Sequence, residues 1–169
     1  MLDLNYKYTY WLKLPFLDSF LKKLLNYNRH KIHKIFLNSS GYNTNSKLLD
    51  IGTSNTDDTD HNIILQKTKN NQNVFSLSNT NLDKIKNIYS NVRKFYKADG
   101  RNTKLPSNSF DIVYSSATIE HVGSFENQIQ FVKEAYRLSK DITFITTPNR
   151  FYPIDFHTKL PFIHWFPKK

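Results

Sequence analysis

Five short apolar runs punctuate the chain: Leu48–Ile51, Val74–Leu77, Val92–Tyr96, Phe110–Tyr114 and Ile142–Thr146, each flanked by turn residues. Runs of this length predict strands buried on both faces, as in a parallel sheet. Parallel neighbours cannot be joined by a tight turn, so the segments between them must cross over. Several of those segments carry helical patterns. Leu82, Ile85, Ile88 and Tyr89 form a stripe on Asn81–Tyr89. Phe125, Ile129, Val132 and Tyr136 form another on Phe125–Ser139, with Ser124 placed to cap it and Glu126 in the positively polarised first turn. Strand alternating with helix predicts an α/β fold, doubly wound, with helices on both faces of the sheet. Residues 57–71 fit neither pattern; their one apolar group is Ile63–Leu65.

Ahead of the first run, Phe16, Phe20, Leu21, Leu24, Leu25, Ile32, Ile35 and Phe36 recur at helical steps, predicting one helix or two from about Asp18 to Leu37. Ser39-Ser40-Gly41 ends it. The organisation read from these patterns is a helical extension over 1–46 and a core over 47–169. A 38% hydrophobic and 15% aromatic content across 169 residues excludes a disordered tail. No run reaches the roughly 18 apolar residues of a membrane span, and the start lacks a small-residue cleavage site, so a cytoplasmic location is expected. With no Cys, disulfides and thiolate catalysis are excluded. A net charge of +10 raises the question of a nucleic-acid partner. The lysines are dispersed, however, and no nucleic-acid motif accompanies them, which argues against such a partner while the charge alone leaves it open. The densest basic stretch, Arg29–Lys34, falls on the predicted helix.

In open parallel sheets, ligands bind beyond the carboxyl ends of the strands. Here those ends read Asp50-Ile51-Gly52-Thr53, Ser78-Asn79-Thr80, Ala98-Asp99-Gly100, Ser115-Ser116 and Thr147-Pro148-Asn149, all polar or small. Scattered histidines predict no metal site. No G-x-S-x-G elbow and no G-x-G-x-x-G fingerprint occur, which argues against a serine nucleophile and a nicotinamide cofactor.

The stretch ADGRNTKLPSNSFDIVYSSATIEHV, Ala98–Val122, resembles the class I S-adenosylmethionine-dependent methyltransferases, in particular the methyltransferase type 11 group. The positions that carry it are Asp99, Leu105-Pro106, Ser109-Phe110-Asp111 and His121, and the likeness runs from about Lys47 to Pro167. It implies a Rossmann-like sheet, methyl transfer from S-adenosyl-L-methionine, and a small-molecule or envelope-precursor acceptor. The sheet is expected to lack the family's last two strands, since the sequence ends soon after the fifth run. By resemblance, Asp50 anchors the methionine end of the cofactor, Gly52 and Thr53 form its loop, and Asn79 meets the ribose. Asp99 accepts from the adenine amine with Gly100 leaving space beside it, and Ser115 floors the transfer site. His121 is the candidate base, while Asn149, Arg150 and His157 are candidates to face the acceptor. Two positions depart from the family pattern. Ser54 and Thr56 stand where glycines are usual, and Asn79 stands where an acid usually holds the ribose. These departures keep open a non-catalytic module of the same fold.

Overall fold

In a computed structural model, residues 15–149 are described, apart from the side chains of residues 15–18 and 59. Arg29–Thr147 make one compact unit, and the other described residues, 15–28 and 148–149, belong to a second. Nine helices and strands are described. They are α1 (Pro15–Ser39), β1 (Leu48–Ile51), α2 (Ile63–Lys67), β2 (Val74–Ser78), α3 (Asp83–Lys86), β3 (Val92–Lys97), β4 (Phe110–Ser116), α4 (Phe125–Leu138) and β5 (Ser139–Thr146).

The five strands form one sheet in the order β3-β2-β1-β4-β5, and every pairing is parallel. This is the doubly wound arrangement that the alternating pattern predicts, and the Rossmann-like sheet that the resemblance implies. The strand order reverses between β1 and β4, and the crevice that opens at such a reversal is where this architecture holds ligands. All four residues of β1 are buried, as a central strand requires. At the β3 edge, Arg93, Lys94 and Lys97 are exposed, charges that discourage pairing with another sheet.

The pleat sends alternate β1 residues into two cores. Leu48 joins Phe36 of α1, Ile64 and Leu65 of α2, Ile85 of α3, Tyr89 and Tyr114. Leu49 and Ile51 join Phe75, Leu77, Val113 and, from α4, Phe131, Ala135 and Leu138. Helices therefore cover both faces. The unplaced segment 57–71 resolves into a turn of 3-10 helix and the short α2, and its Ile63-Ile64-Leu65 is buried.

Two helix readings need correction. The Asn81–Tyr89 stretch is helical only over Asp83–Lys86, and Ile88 is exposed. On α4 the stripe Phe125, Ile129, Val132 and Tyr136 is not the face that meets the sheet; all four are exposed. Phe131, Ala135 and Leu138 face the core instead, because α4 is apolar on two sides and only one of them can lie on the strands. Ser124 caps α4 as read, its hydroxyl accepting from the Asn127 N–H.

α4 also clasps the loop that leads into β4. Glu134, buried, accepts from the Thr103 N–H at 2.8 Å and the Thr103 hydroxyl at 2.6 Å. Arg137 donates to both Glu134 oxygens, at 2.8 and 2.7 Å, and to the Leu105 carbonyl at 2.8 Å. The Arg137 guanidinium and the Thr103 donors hold the Glu134 carboxyl down to about 2 despite its burial.

Candidate active site

The loop after β1 is built around one glycine. Gly52 has a φ of +97°, and a Cβ there would lie 2.0 Å from the Thr118 hydroxyl oxygen, so any side chain is excluded. Elsewhere in 53–56 no residue adopts a positive φ. Ser54 and Thr56 therefore sit without backbone strain where glycines are usual. Side chains, rather than flexibility, shape this loop. Asn62 accepts from the Ser54 N–H at 3.0 Å and donates to the Ser54 carbonyl at 2.8 Å. Asn55 accepts from the Lys84 N–H at 3.2 Å. Gly52 and Thr53 both donate their N–H groups to the Leu77 carbonyl, at 2.8 and 3.3 Å, tying the loop to β2.

Asp50 lies beneath that loop, 5% exposed, opposite Ser76 of β2 and Tyr114 of β4. The Thr53 hydroxyl donates to its carboxylate at 2.7 Å and itself accepts from Ser76 at 2.7 Å. Among the described residues no cation pairs with Asp50. Burial pushes its carboxyl up to about 6, and the Thr53 hydrogen bond offsets only part of that. The Tyr114 hydroxyl is buried without a hydrogen bond of normal geometry. Burial first, and the nearby Asp50 charge second, raise it to about 12. A carboxylate this enclosed, with hydroxyls as its surroundings, carries the cost of a buried charge that no cation offsets among the described residues.

Asn79, Asp99, Gly100 and Ser115 lie at the carboxyl ends of β2, β3 and β4, on the same edge of the sheet as Asp50. Ser115 is fully buried, and its hydroxyl donates to the Ile51 carbonyl at 2.8 Å, clamping β4 to the end of β1. Thr118 reaches the same carbonyl at 3.3 Å. Asn79 is exposed just past β2. Asp99 follows β3, but its carboxylate is gripped by Arg101, which donates Nε to both oxygens at 3.0 Å and Nη2 to one at 2.6 Å. That guanidinium holds the Asp99 carboxyl below the usual range. Gly100 is small for a packing reason. A Cβ would stand 2.8 Å from the Phe131 ring and 3.1 Å from Ile51, so the space beside it is filled by the core.

His121 closes a 3-10 turn after β4 with its side chain 62% exposed and its Nε2 4.0 Å from Glu120. Asn149 is exposed, in the second unit. Arg150 and His157 lie outside the described residues. Among the described residues, no cluster of His, Asp and Glu could hold a metal ion, and no helix is long and apolar enough to cross a membrane.

Sequence reading missed Asn62, Thr118 and Arg101. Arg101 had a signal, since a basic residue two positions after an acid on a turn can fold back on it. Asn62 and Thr118 had none, because their partners lie 8 and 67 positions away.

Residues 49–143, more than half of the chain, match the family described as methyltransferase domain. The chain belongs to that family. The match opens within β1, ends within β5, and takes in Asp50, Gly52, Thr53, Asn79, Asp99, Gly100, Ser115 and His121. Comparison with curated proteins finds no match. Methyltransferase domains of this family generally use S-adenosylmethionine.

Proposed function

We propose that this methyltransferase domain binds S-adenosyl-L-methionine at the β1–β4 crevice and transfers its methyl group to a small-molecule or envelope-precursor acceptor. The observation that carries the reading is Asp50, a buried carboxylate with no cationic partner among the described residues, at the switch point of the sheet. When bound, the cofactor supplies a methyl group on a sulfonium, which is already a good leaving group, so the chain's contribution is mainly position and electrostatics. Asp50, oriented by Thr53 and Ser76, stabilises the positive charge at the methionine end. Gly52 lets the loop turn in the left-handed region against Thr118, and Ser115 fixes the floor by holding β4 to β1. Asn79 takes one ribose hydroxyl, and Asp99 accepts from the adenine amine once its carboxylate turns from Arg101. His121, on the exposed rim, takes the proton that a hydroxyl or amine acceptor loses. Asn149, Arg150 and His157 remain our candidates for acceptor recognition. The acceptor class rests on the resemblance of the run from Phe131 to Pro167.

A non-catalytic module of the same fold is favoured by one feature, the weakened adenosine end. There an amide replaces the ribose acid and Arg101 occupies Asp99. Calorimetric titration with S-adenosylmethionine and S-adenosylhomocysteine tests the proposal, with Asp50→Asn and Asp99→Ala as controls. We expect micromolar binding by the folded wild-type chain, weakened at least tenfold by either substitution. A folded chain that binds neither ligand overturns the proposal. Binding without transfer to any acceptor in a substrate screen selects the module.

A further inference from the structure

The outward face of α4 is apolar without a partner in its own unit. Phe125 is 71% exposed, Ile129 38%, Val132 41% and Tyr136 74%, a continuous stripe about 120° around the helix from the face that meets the sheet. Exposed apolar stripes of this kind mark interaction surfaces. The spacing says which partner fits. Steps of four, three and four residues are those of a coiled-coil seam, with Phe125 and Val132 at d positions and Ile129 and Tyr136 at a. The pattern is also symmetric about its own midpoint. Phe125 and Tyr136 are equally far from that point, and so are Ile129 and Val132. A two-fold axis through it brings each member of a pair against the other on the facing helix, as an isologous interface demands. The flank agrees in charge. Glu126 and Lys133, both exposed, lie along one edge of the stripe at e positions. The same axis brings Glu126 of each copy toward Lys133 of the other.

We propose that α4 pairs antiparallel with α4 of a second copy of this chain, through Phe125, Ile129, Val132 and Tyr136. Glu126 and Lys133 set the direction of the pairing. The seam is short and its area falls below that of a permanent dimer, so self-association depends on concentration in the micromolar range. Both cores lie on the far side of α4, so each copy keeps its fold when the pair dissociates.

Sedimentation velocity on the full chain over a concentration series reads the association, which should take the apparent mass from 20.0 kDa toward twice that value. Ile129→Glu should raise the dissociation constant at least tenfold while leaving the circular-dichroism melt unchanged. Glu126→Lys and Lys133→Glu should each weaken self-association, because each leaves only like charges along the flank, and an equal mixture of the two should restore a heterodimer. The chain has no cysteine of its own, so engineered thiols report direction. Phe125→Cys mixed with Tyr136→Cys should cross-link on oxidation. Phe125→Cys alone should not, since a copy of itself lies about 16 Å along the seam. Three results would overturn the proposal: a monomer at every concentration, a dimer indifferent to Ile129→Glu or to the charge pair, or self-cross-linking of Phe125→Cys.

Discussion

Asp50→Asn separates what this carboxylate costs the fold from what it contributes to binding. The carboxyl has an ordinary value of 3.8 in the unfolded chain and is lifted to about 6 in the folded one. Because the folded state prefers the neutral acid, the penalty is absent below 3.8, grows as pH rises, and is complete above about 6. At 1.36 kcal/mol per unit the full penalty is about 3 kcal/mol, a substantial part of a typical domain's stability. The amide is nearly isosteric, carries no charge, and keeps an oxygen to accept from Thr53. Urea denaturation of the ligand-free proteins at pH 4.5 and pH 7.5 measures the effect. The variant should be more stable than wild type at pH 7.5, by up to about 3 kcal/mol, with most of that advantage gone at pH 4.5. Saturating S-adenosylmethionine should stabilise wild type at pH 7.5 by at least about 1.4 kcal/mol more than the variant, the equivalent of a tenfold loss of affinity. Parallel pH profiles for the two proteins would refute the reasoning, because they would mean that Asp50 is solvated or paired with a cation.

Glu134→Ala removes the acceptor shared by Thr103 and Arg137 and should cost about 2–3 kcal/mol in chemical denaturation. The contribution of Glu134 is complete above its ordinary value of 4.5 and is lost as pH falls toward about 2, so wild type and variant should converge in acid. Gly52→Ala forces a side chain into the left-handed region and against Thr118. It should lower the melting temperature by several degrees, about 2–4 °C per kcal/mol for a chain of this size, and Thr118→Ala should relieve this only in part, because its Cβ remains 2.8 Å away. Arg101→Ala frees Asp99 and should tighten S-adenosylmethionine binding by up to about fivefold in calorimetry, the range open to an exposed ion pair.

Much of the fold was legible because its signal is local. Apolar runs at Leu48–Ile51 and Phe110–Tyr114, alternating with helical periodicity, are properties of a few neighbouring residues, and they suffice to require parallel strands and crossovers, with Asp50, Asn79, Asp99 and Ser115 at the carboxyl edge. The single glycine of the first loop was legible too, although its surroundings were not. Thr118 excludes a Cβ at position 52, Asn62 replaces the shaping that further glycines would supply, and Arg101 holds Asp99. Those constraints come from residues that only folding brings into contact. α4 shows the division most clearly. Its sequence carries two apolar stripes at helical spacing, and periodicity treats them alike. The sheet met Phe131, Ala135 and Leu138 and left Phe125, Ile129, Val132 and Tyr136 to solvent, because burial is decided by where a helix lands as well as by its own pattern. The sequence alone determined the five strands, their parallel crossovers and the edge that their carboxyl ends form. Which side chains are buried, charged or held there was decided by tertiary contacts, since desolvation and hydrogen bonding act between atoms that are distant along the chain.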